Sequence, residues 1–142
     1  MFAVLPSAVV IRSSWVFSEY GRNFVKTMLH LAQSQKMIKV VNDQFGCPTY
    51  AGDLALTMIK LAMEQTANGV YHYCGDVVVS WCEFAQSIFI SAKMDVMVQG
   101  IPASHYTTVA DRPANSVMDT ERIQTLGIKQ SNWQSRLNEN VF

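Results

Sequence analysis

The 142-residue sequence has no surplus of either charge sign and no long apolar run. Eleven basic residues balance eleven acidic ones, whereas a protein that neutralises a phosphate backbone carries a cationic surplus. Crossing a bilayer takes about 20 consecutive apolar residues, and a signal peptide starts with a basic stretch. The sequence contains no such apolar run, and its opening MFAVLPSAVVI is not basic. We therefore expect no nucleic-acid partner, no membrane association and a cytoplasmic location.

Metal-binding and disulfide patterns are missing as well. The cysteines Cys47, Cys74 and Cys82 show no C-x-x-C spacing, and the three histidines are far apart. An odd number of scattered cysteines indicates reduced, buried thiols more than a disulfide framework or a zinc site. The sequence predicts no metal site.

Two motifs of nicotinamide-dependent enzymes are absent from these 142 residues. The seven glycines form no G-x-G-x-x-G turn, the feature that lets the backbone approach a pyrophosphate. No tyrosine stands four residues before a lysine, the helical spacing at which an ammonium lowers the pKa of a phenol for proton transfer. We therefore assign no catalytic residue and expect no bound cofactor and no turnover from this chain alone.

The chain instead alternates short strands and amphipathic helices. Apolar runs predict strands at 8–11, 38–41, 70–73 and 97–101. Helices are predicted from about residue 23 onward and after four capping side chains. These predicted caps are Thr49, Ser80, Asp119 and Ser131. The pattern is typical of one α/β unit over residues 1–142, with no interdomain linker.

The helix after Thr49 is expected to run to about Gln65. Its buried stripe is predicted from helical spacing. The stripe consists of Leu54, Met58, Leu61 and Ala62.

Three places suggest ligand binding, each with an ordinary structural alternative. Trp15 follows a buried strand, where open α/β sheets bind ligands, yet an aromatic residue there is also typical of a core. The loop 42–49 could present backbone amides to a nucleotide or be a plain polar turn. Arg112 could clamp a diphosphate or be an ordinary surface arginine. The residues alone leave all three open.

The order of several segments carries a family resemblance that no single segment carries. These segments are AVVIRSSWVFSEYGRNFVKTML, VVNDQFGCPTYAGDLA, GVYHYCG, SWCEFAQSIF, DRPANSVMDTERI and finally GI with Trp133. In this order, over nearly the whole chain, they resemble the carboxyl-terminal half of dTDP-4-dehydrorhamnose reductases. That family belongs to the extended short-chain dehydrogenases/reductases. The resemblance implies part of a Rossmann-like sheet plus a small mixed α/β substrate-binding domain, with the strands near 8–11 and 70–73 belonging to the cofactor-domain sheet.

The resemblance also implies binding roles. The residues matching substrate-binding positions are Ser14, Trp15, Asn23, Gly46, Pro48, Thr49 and Arg112. Those matching positions beside the nicotinamide are Ser13, Ser14 and Val16.

Members of the family reduce a dTDP-linked 4-keto-6-deoxy sugar with NADPH or NADH. The resemblance implies that their glycine-rich turn and Tyr-x-x-x-Lys pair would precede this chain. We therefore expect an inactive substrate-binding half whose partner is a dTDP-linked 6-deoxy sugar nucleotide. The alternative is a non-catalytic binding or regulatory subunit. Sheet strands without their neighbours leave unpaired backbone groups, which predicts a homo-oligomer.

Overall fold

Two long pairs of parallel strands, Val9–Arg12 with Gly69–His72 and Met37–Val41 with Met97–Ile101, organise the chain in the computed structural model, which describes residues 7–64, 67–106 and 111–140. The strands are β1 (Val9–Arg12), β2 (Val16–Phe17), β3 (Met37–Val41), β4 (Phe45–Gly46), β5 (Thr49–Tyr50), β6 (Gly69–His72), β7 (Val79–Ser80) and β8 (Met97–Ile101). The helices are α1 (Phe24–Ala32), α2 (Ala51–Met63), α3 (Trp81–Ser91), α4 (Glu121–Gln124) and α5 (Trp133–Asn140), with a 3-10 turn at Ala103–His105.

Each parallel pair joins strands that are distant in sequence. Strand β1 pairs with β6, and β3 pairs with β8. Two shorter ladders, β2 with β5 and β4 with β7, lie in the segments between them. The strands predicted at 8–11, 38–41, 70–73 and 97–101 are confirmed to within one residue. The α/β class is therefore confirmed, because parallel strands need crossover connections and here helices supply them.

Side chains pack into two apolar clusters. The larger one combines α1, α3, α5 and the β3–β8 pair around Phe84, Ile88 and Trp133. The smaller one combines the β1–β6 pair with α2 and α4 around Leu61, Tyr71 and Ile123. No helix in the described part of the chain is both long and apolar enough to cross a membrane.

Of the four predicted helix caps, only Ser80 is confirmed: it forms a reciprocal capping box with Glu83 at the start of α3. Asp119 accepts a hydrogen bond from Glu121 N at 2.8 Å, but the N-cap position of α4 is Thr120, one residue later. Thr49 does not cap α2 but lies in β5, where its hydroxyl donates to Ser14 O at 2.8 Å. Ser131 donates to Asp53 Oδ2 at 2.7 Å. Thr49 and Ser131 are both buried. Each hydroxyl therefore donates to an acceptor that is distant in sequence and does not cap the amides of the helix that follows it.

The predicted stripe of α2 is only half correct. Leu61 is buried and Leu54 packs against the smaller cluster, whereas Met58 and Ala62 are exposed. Thr57 takes a buried position instead. Helix α2 thus buries a narrow strip of its surface, and its apolar outer side faces away from the described core. The helix ends at Met63, and the predicted end at Gln65 lies outside the described residues.

Candidate functional site

The segment after β1 and the loop before α2 are joined by a short hydrogen-bond network. Thr49 N donates to Trp15 O at 3.2 Å, and the Thr49 hydroxyl donates to Ser14 O at 2.8 Å. In return, the Ser14 hydroxyl donates to Cys47 O at 3.3 Å. Three of the predicted substrate-binding residues, Ser14, Trp15 and Thr49, are therefore brought together by backbone and hydroxyl contacts.

Trp15 has an unusual backbone and a closely packed ring. Its φ of 50° lies in the left-handed region that bulky residues rarely adopt. Its ring stacks on Trp81 with centroids 3.5 Å apart and planes 9° apart. A Cβ on Gly46 would lie 2.5 Å from Trp15 Cε2, so only glycine fits beneath the indole. Trp15 is partly buried against the larger apolar cluster. The ring face that Trp81 covers is therefore explained by core packing.

A cavity of about 800 Å³ opens beside this stack. It is lined by Phe24, Met28, Lys39, Val40, Val41, Gln44, Trp81, Ala103, Tyr106, Asp111 and Arg112. These described residues include two cations, one carboxylate and several aromatic and aliphatic side chains. Such a wall combines flat apolar surface for a ring with a guanidinium that can hold a phosphate in bidentate fashion.

The loop carrying Arg112 is attached to β4. Phe45 N donates to Ala114 O at 2.9 Å, and Ser116 N donates to Phe45 O at 2.9 Å. The adjacent Gly46 is approached closely by Ser116, because a Cβ there would lie 2.6 Å from Ser116 Oγ. The structure therefore brings the Arg112 segment to the loop 42–49, although the two are far apart in sequence.

Asn23 already has several partners within the protein. Its Oδ1 accepts a hydrogen bond from Lys26 N at 3.1 Å, which caps α1, and its Nδ2 donates to Ser18 O at 2.7 Å. The side chain therefore fixes the turn that precedes Phe24 on the cavity wall. Its predicted contact with the substrate stays a prediction.

The three residues predicted beside a nicotinamide differ in what they offer. The Ser14 hydroxyl is bonded to Cys47 O, and the Val16 side chain is exposed. The Ser13 hydroxyl oxygen is buried and has no hydrogen-bond partner among the described residues. Buried hydroxyls are normally paired, so this atom is open to a polar group from elsewhere.

Two thiols meet at the loop before α2. Cys47 and Cys74 are both buried, and all three cysteines are free thiols, as expected for structural cysteines. A hydrogen bond from Cys47 lowers the pKa of Cys74 to about 7, against the opposing effect of burial. The same bond and burial raise the pKa of Cys47. No local pattern around Cys47 or Cys74 predicts this pair, because the two residues are far apart in sequence.

A second, polar cavity of about 610 Å³ lies between α2 and α5. Arg136 Nε donates to both carboxylate oxygens of Asp53 at 3.1 Å, and Ser131 donates to the same carboxylate. The hydrogen bond with Asp53 raises the pKa of Arg136. This network connects the start of α2 to the carboxyl-terminal helix, and its members are too far apart in sequence for a motif search to find them.

The fold is that of an α/β protein of the short-chain dehydrogenase/reductase type, and the candidate site lies at loops that follow parallel strands. Residues 2–141 match the family model described as the RmlD substrate binding domain. The chain belongs to this family of dTDP-4-dehydrorhamnose reductases.

Similar proteins agree with this assignment. The chain is 41% identical to a dTDP-4-dehydrorhamnose reductase of Aggregatibacter actinomycetemcomitans, over 96% of this chain and 51% of that protein. It is 37% identical to a spore coat polysaccharide biosynthesis protein of Bacillus subtilis, over 93% of this chain and 46% of that protein. A crystal structure of a dTDP-4-dehydrorhamnose reductase from Bacillus anthracis in complex with NADP is 35% identical, with a TM-score of 0.85 over 93% of this chain and 46% of that one. The chain thus spans about half the length of the relatives it matches.

Proposed function

We propose that this chain is the sugar-nucleotide-binding part of a dTDP-4-dehydrorhamnose reductase. The whole enzyme would reduce the 4-keto group of a dTDP-linked 6-deoxy sugar with a nicotinamide cofactor, on the route to a polysaccharide. The observation that carries this proposal is a cavity lined by Arg112 together with the aromatic side chains of Phe24 and Trp81. Family membership supplies the reaction, and the cavity supplies a place for the nucleotide.

Charge and shape support a nucleoside diphosphate in this cavity. The Arg112 guanidinium offers paired donors for a diphosphate, and Lys39 adds a second positive charge on the same wall. Phe24 and Trp81 have ring centroids 4.6 Å apart and offer flat apolar surface to a base. The sugar would then extend from the diphosphate toward Trp15 and the loop containing Gly46 and Thr49.

The nicotinamide cofactor belongs mainly to the other half of the enzyme in this proposal. The Bacillus anthracis relative contains NADP, and the reduced form of that cofactor would supply the hydride, leaving the oxidised form. In this chain the unpaired, buried Ser13 hydroxyl fits a polar group of that cofactor or its domain, while Ser14 and Val16 flank the same segment. Strands β1 and β6 would extend the cofactor-domain sheet. Because nucleotide sugars and nicotinamide cofactors are cytoplasmic metabolites, we infer a cytoplasmic location.

Titration calorimetry with dTDP, dTDP-L-rhamnose and thymidine tests the proposal on the 142-residue chain. Both diphosphates should bind, and Arg112→Gln should weaken dTDP binding about ten-fold, because a charge-assisted fork to phosphate is lost. Thymidine carries no diphosphate, so its affinity should be unchanged in the variant. Arg22→Gln is the matched control, since Arg22 is exposed and lies outside the described lining of the cavity. If neither diphosphate binds, or if both arginine variants behave alike, the nucleotide site is elsewhere.

A further inference from the structure

Trp81 lies between the cavity and Trp15. It lines the cavity, and its ring is stacked almost parallel on Trp15 at 3.5 Å between centroids. The cavity wall, as far as the described residues define it, does not include Trp15. Among the described residues of the cavity wall, Trp81 is the one whose ring stacks directly on Trp15.

The position of Trp81 is fixed by the start of α3. Trp81 is the first residue of the helix, directly after the cap Ser80. Ser80 N donates to Glu83 Oε2 at 2.7 Å, and Glu83 N donates to Ser80 Oγ at 3.2 Å. Ser80 also pairs with Phe45 in the short β4–β7 ladder, which connects this point to the Arg112 loop. The capping box and the β4–β7 ladder thus fix the backbone from which the Trp81 indole extends.

Trp15, in contrast, needs external support. A left-handed φ is unfavourable for a residue with a side chain, so surrounding contacts must hold it. These contacts are the stack with Trp81, a second ring contact with Phe84 at 6.4 Å between centroids, the bond from Thr49 N to Trp15 O, and the close approach of Gly46. The Trp81 ring is the nearer of the two and lies within 9° of parallel to the Trp15 indole, so it is the contact that sets the plane of that indole.

We propose that Trp81 is a positioning residue for sugar recognition, which forms part of the nucleotide wall and holds Trp15 in the orientation that meets the sugar. This inference rests on the proposed function, because it concerns the same ligand. In this proposal Trp81 acts on the sugar through Trp15. Because Trp81 also contacts the nucleotide, the binding free energies of the nucleotide and of the sugar depend on each other.

Affinities for dTDP and dTDP-L-rhamnose test this in the 142-residue chain and in the Trp15→Ala, Trp81→Leu and doubly substituted variants. Their ratio isolates the contribution of the sugar. Trp81→Leu should weaken dTDP binding about ten-fold, because an aromatic wall is lost. It should also lower the ratio as much as Trp15→Ala does, and the double variant should lower it no further, since residues that act as a unit are not additive. Trp81→Phe keeps an aromatic face and should retain both affinities within about three-fold.

A spectroscopic measurement keeps the inference testable even if Trp81→Leu fails to fold. Two closely stacked indoles give an exciton couplet in circular dichroism, which Trp15→Phe and Trp81→Phe should each abolish. Trp133→Phe is the matched control, because the buried Trp133 ring packs edge-on against Phe84 and is not a member of the stacked indole pair, so its replacement should leave the couplet intact.

Three results would overturn the inference. The first is a ratio of dTDP-L-rhamnose affinity to dTDP affinity that is unchanged in Trp81→Leu, or that falls additively in the double variant. Either outcome would overturn the role of Trp81 and leave the proposed nucleotide site in place. A couplet that survives both Trp15→Phe and Trp81→Phe would show that the stack is absent in solution. If the unsubstituted chain binds neither dTDP nor dTDP-L-rhamnose, the proposed function fails and this inference fails with it.

Discussion

The backbone of Gly75 lies directly against the carbonyl oxygen of Pro48: a Cβ on Gly75 would come within 2.0 Å of that oxygen and 2.9 Å from Trp133 Cδ1. This approach places the end of β6 beside the loop that carries Gly46 and Thr49. Two contacts therefore hold the loop: the close packing of Gly75 against Pro48 and the hydrogen bond from the Thr49 hydroxyl to Ser14 O.

Gly75→Ala should destabilise the protein by about 2 kcal/mol or more, because the added methyl group meets backbone that cannot move without displacing the loop. Urea denaturation measures the change. Gly127→Ala is the control, since nothing lies within 4 Å of its position and only its positive φ is strained, at a cost of about 1 kcal/mol. Equal losses in the two variants would contradict the packing argument.

Local signals were predictable from the sequence, and long-range contacts were not. The Ser80-x-x-Glu83 spacing predicts a capping box because both partners lie within one helical turn. The same rule failed at Ser131, whose hydroxyl bonds to Asp53, a residue brought close only by the tertiary fold. Trp81 was missed for the same reason: the first position of a helix carries no sequence sign of a stack with Trp15.

The capping box should give α3 a pH-dependent contribution to stability. Hydrogen bonds from the Ser80 N–H and hydroxyl lower the pKa of Glu83 from its ordinary 4.5. A carboxyl group whose pKa is lower in the folded state stabilises the protein above its unfolded pKa, and this stabilisation is lost as pH falls through the folded pKa. Glu83→Gln should therefore be less stable than the unsubstituted chain at pH 7, with the difference shrinking below pH 4.5.

Ser80→Ala should cost about 1 kcal/mol at pH 7, as expected for the loss of a helix cap. Ser87→Ala is the control, because that hydroxyl bonds only to the Glu83 carbonyl oxygen within α3. Thermal denaturation at several pH values would measure all three variants. A Glu83→Gln deficit that is the same at acidic and neutral pH would refute the role of the carboxylate.

The Cys47–Cys74 pair should titrate as a unit. Cys47→Ala removes the thiol that stabilises the Cys74 thiolate, so the pKa of Cys74 should rise from about 7 toward or above the ordinary 9.0. The pH dependence of thiolate absorbance measures this shift. Cys82→Ala is the control, because burial raises the pKa of Cys82 independently of the pair. A neutral-pH titration step that persists in Cys47→Ala would show that another group causes it.

The site was only partly predictable. Family resemblance pointed to Arg112 and to the loop around Gly46, and the structure places Arg112 on the cavity wall and ties its segment to β4. Whether Trp15 serves the core or a ligand was open from the sequence. Its stack on Trp81 shows that core packing holds the ring, and binding by its remaining surface stays a proposal.

Self-association should occur through the outer side of α2. Leu56, Ile59 and Met63 are exposed there at helical spacing, and an apolar helix face of this kind favours burial against another surface. The net charge of zero gives little repulsion between copies. We therefore expect homo-oligomers at high micromolar concentration in sedimentation velocity. Ile59→Lys should shift the distribution toward monomer, because it would bury an unpaired charge in the contact. Ile90→Lys is the matched control: Ile90 is 78% exposed on α3, against 57% for Ile59, but lies on a different helix. A clean monomer for the unsubstituted chain, or equal effects of the two substitutions, would rule out α2 as the contact.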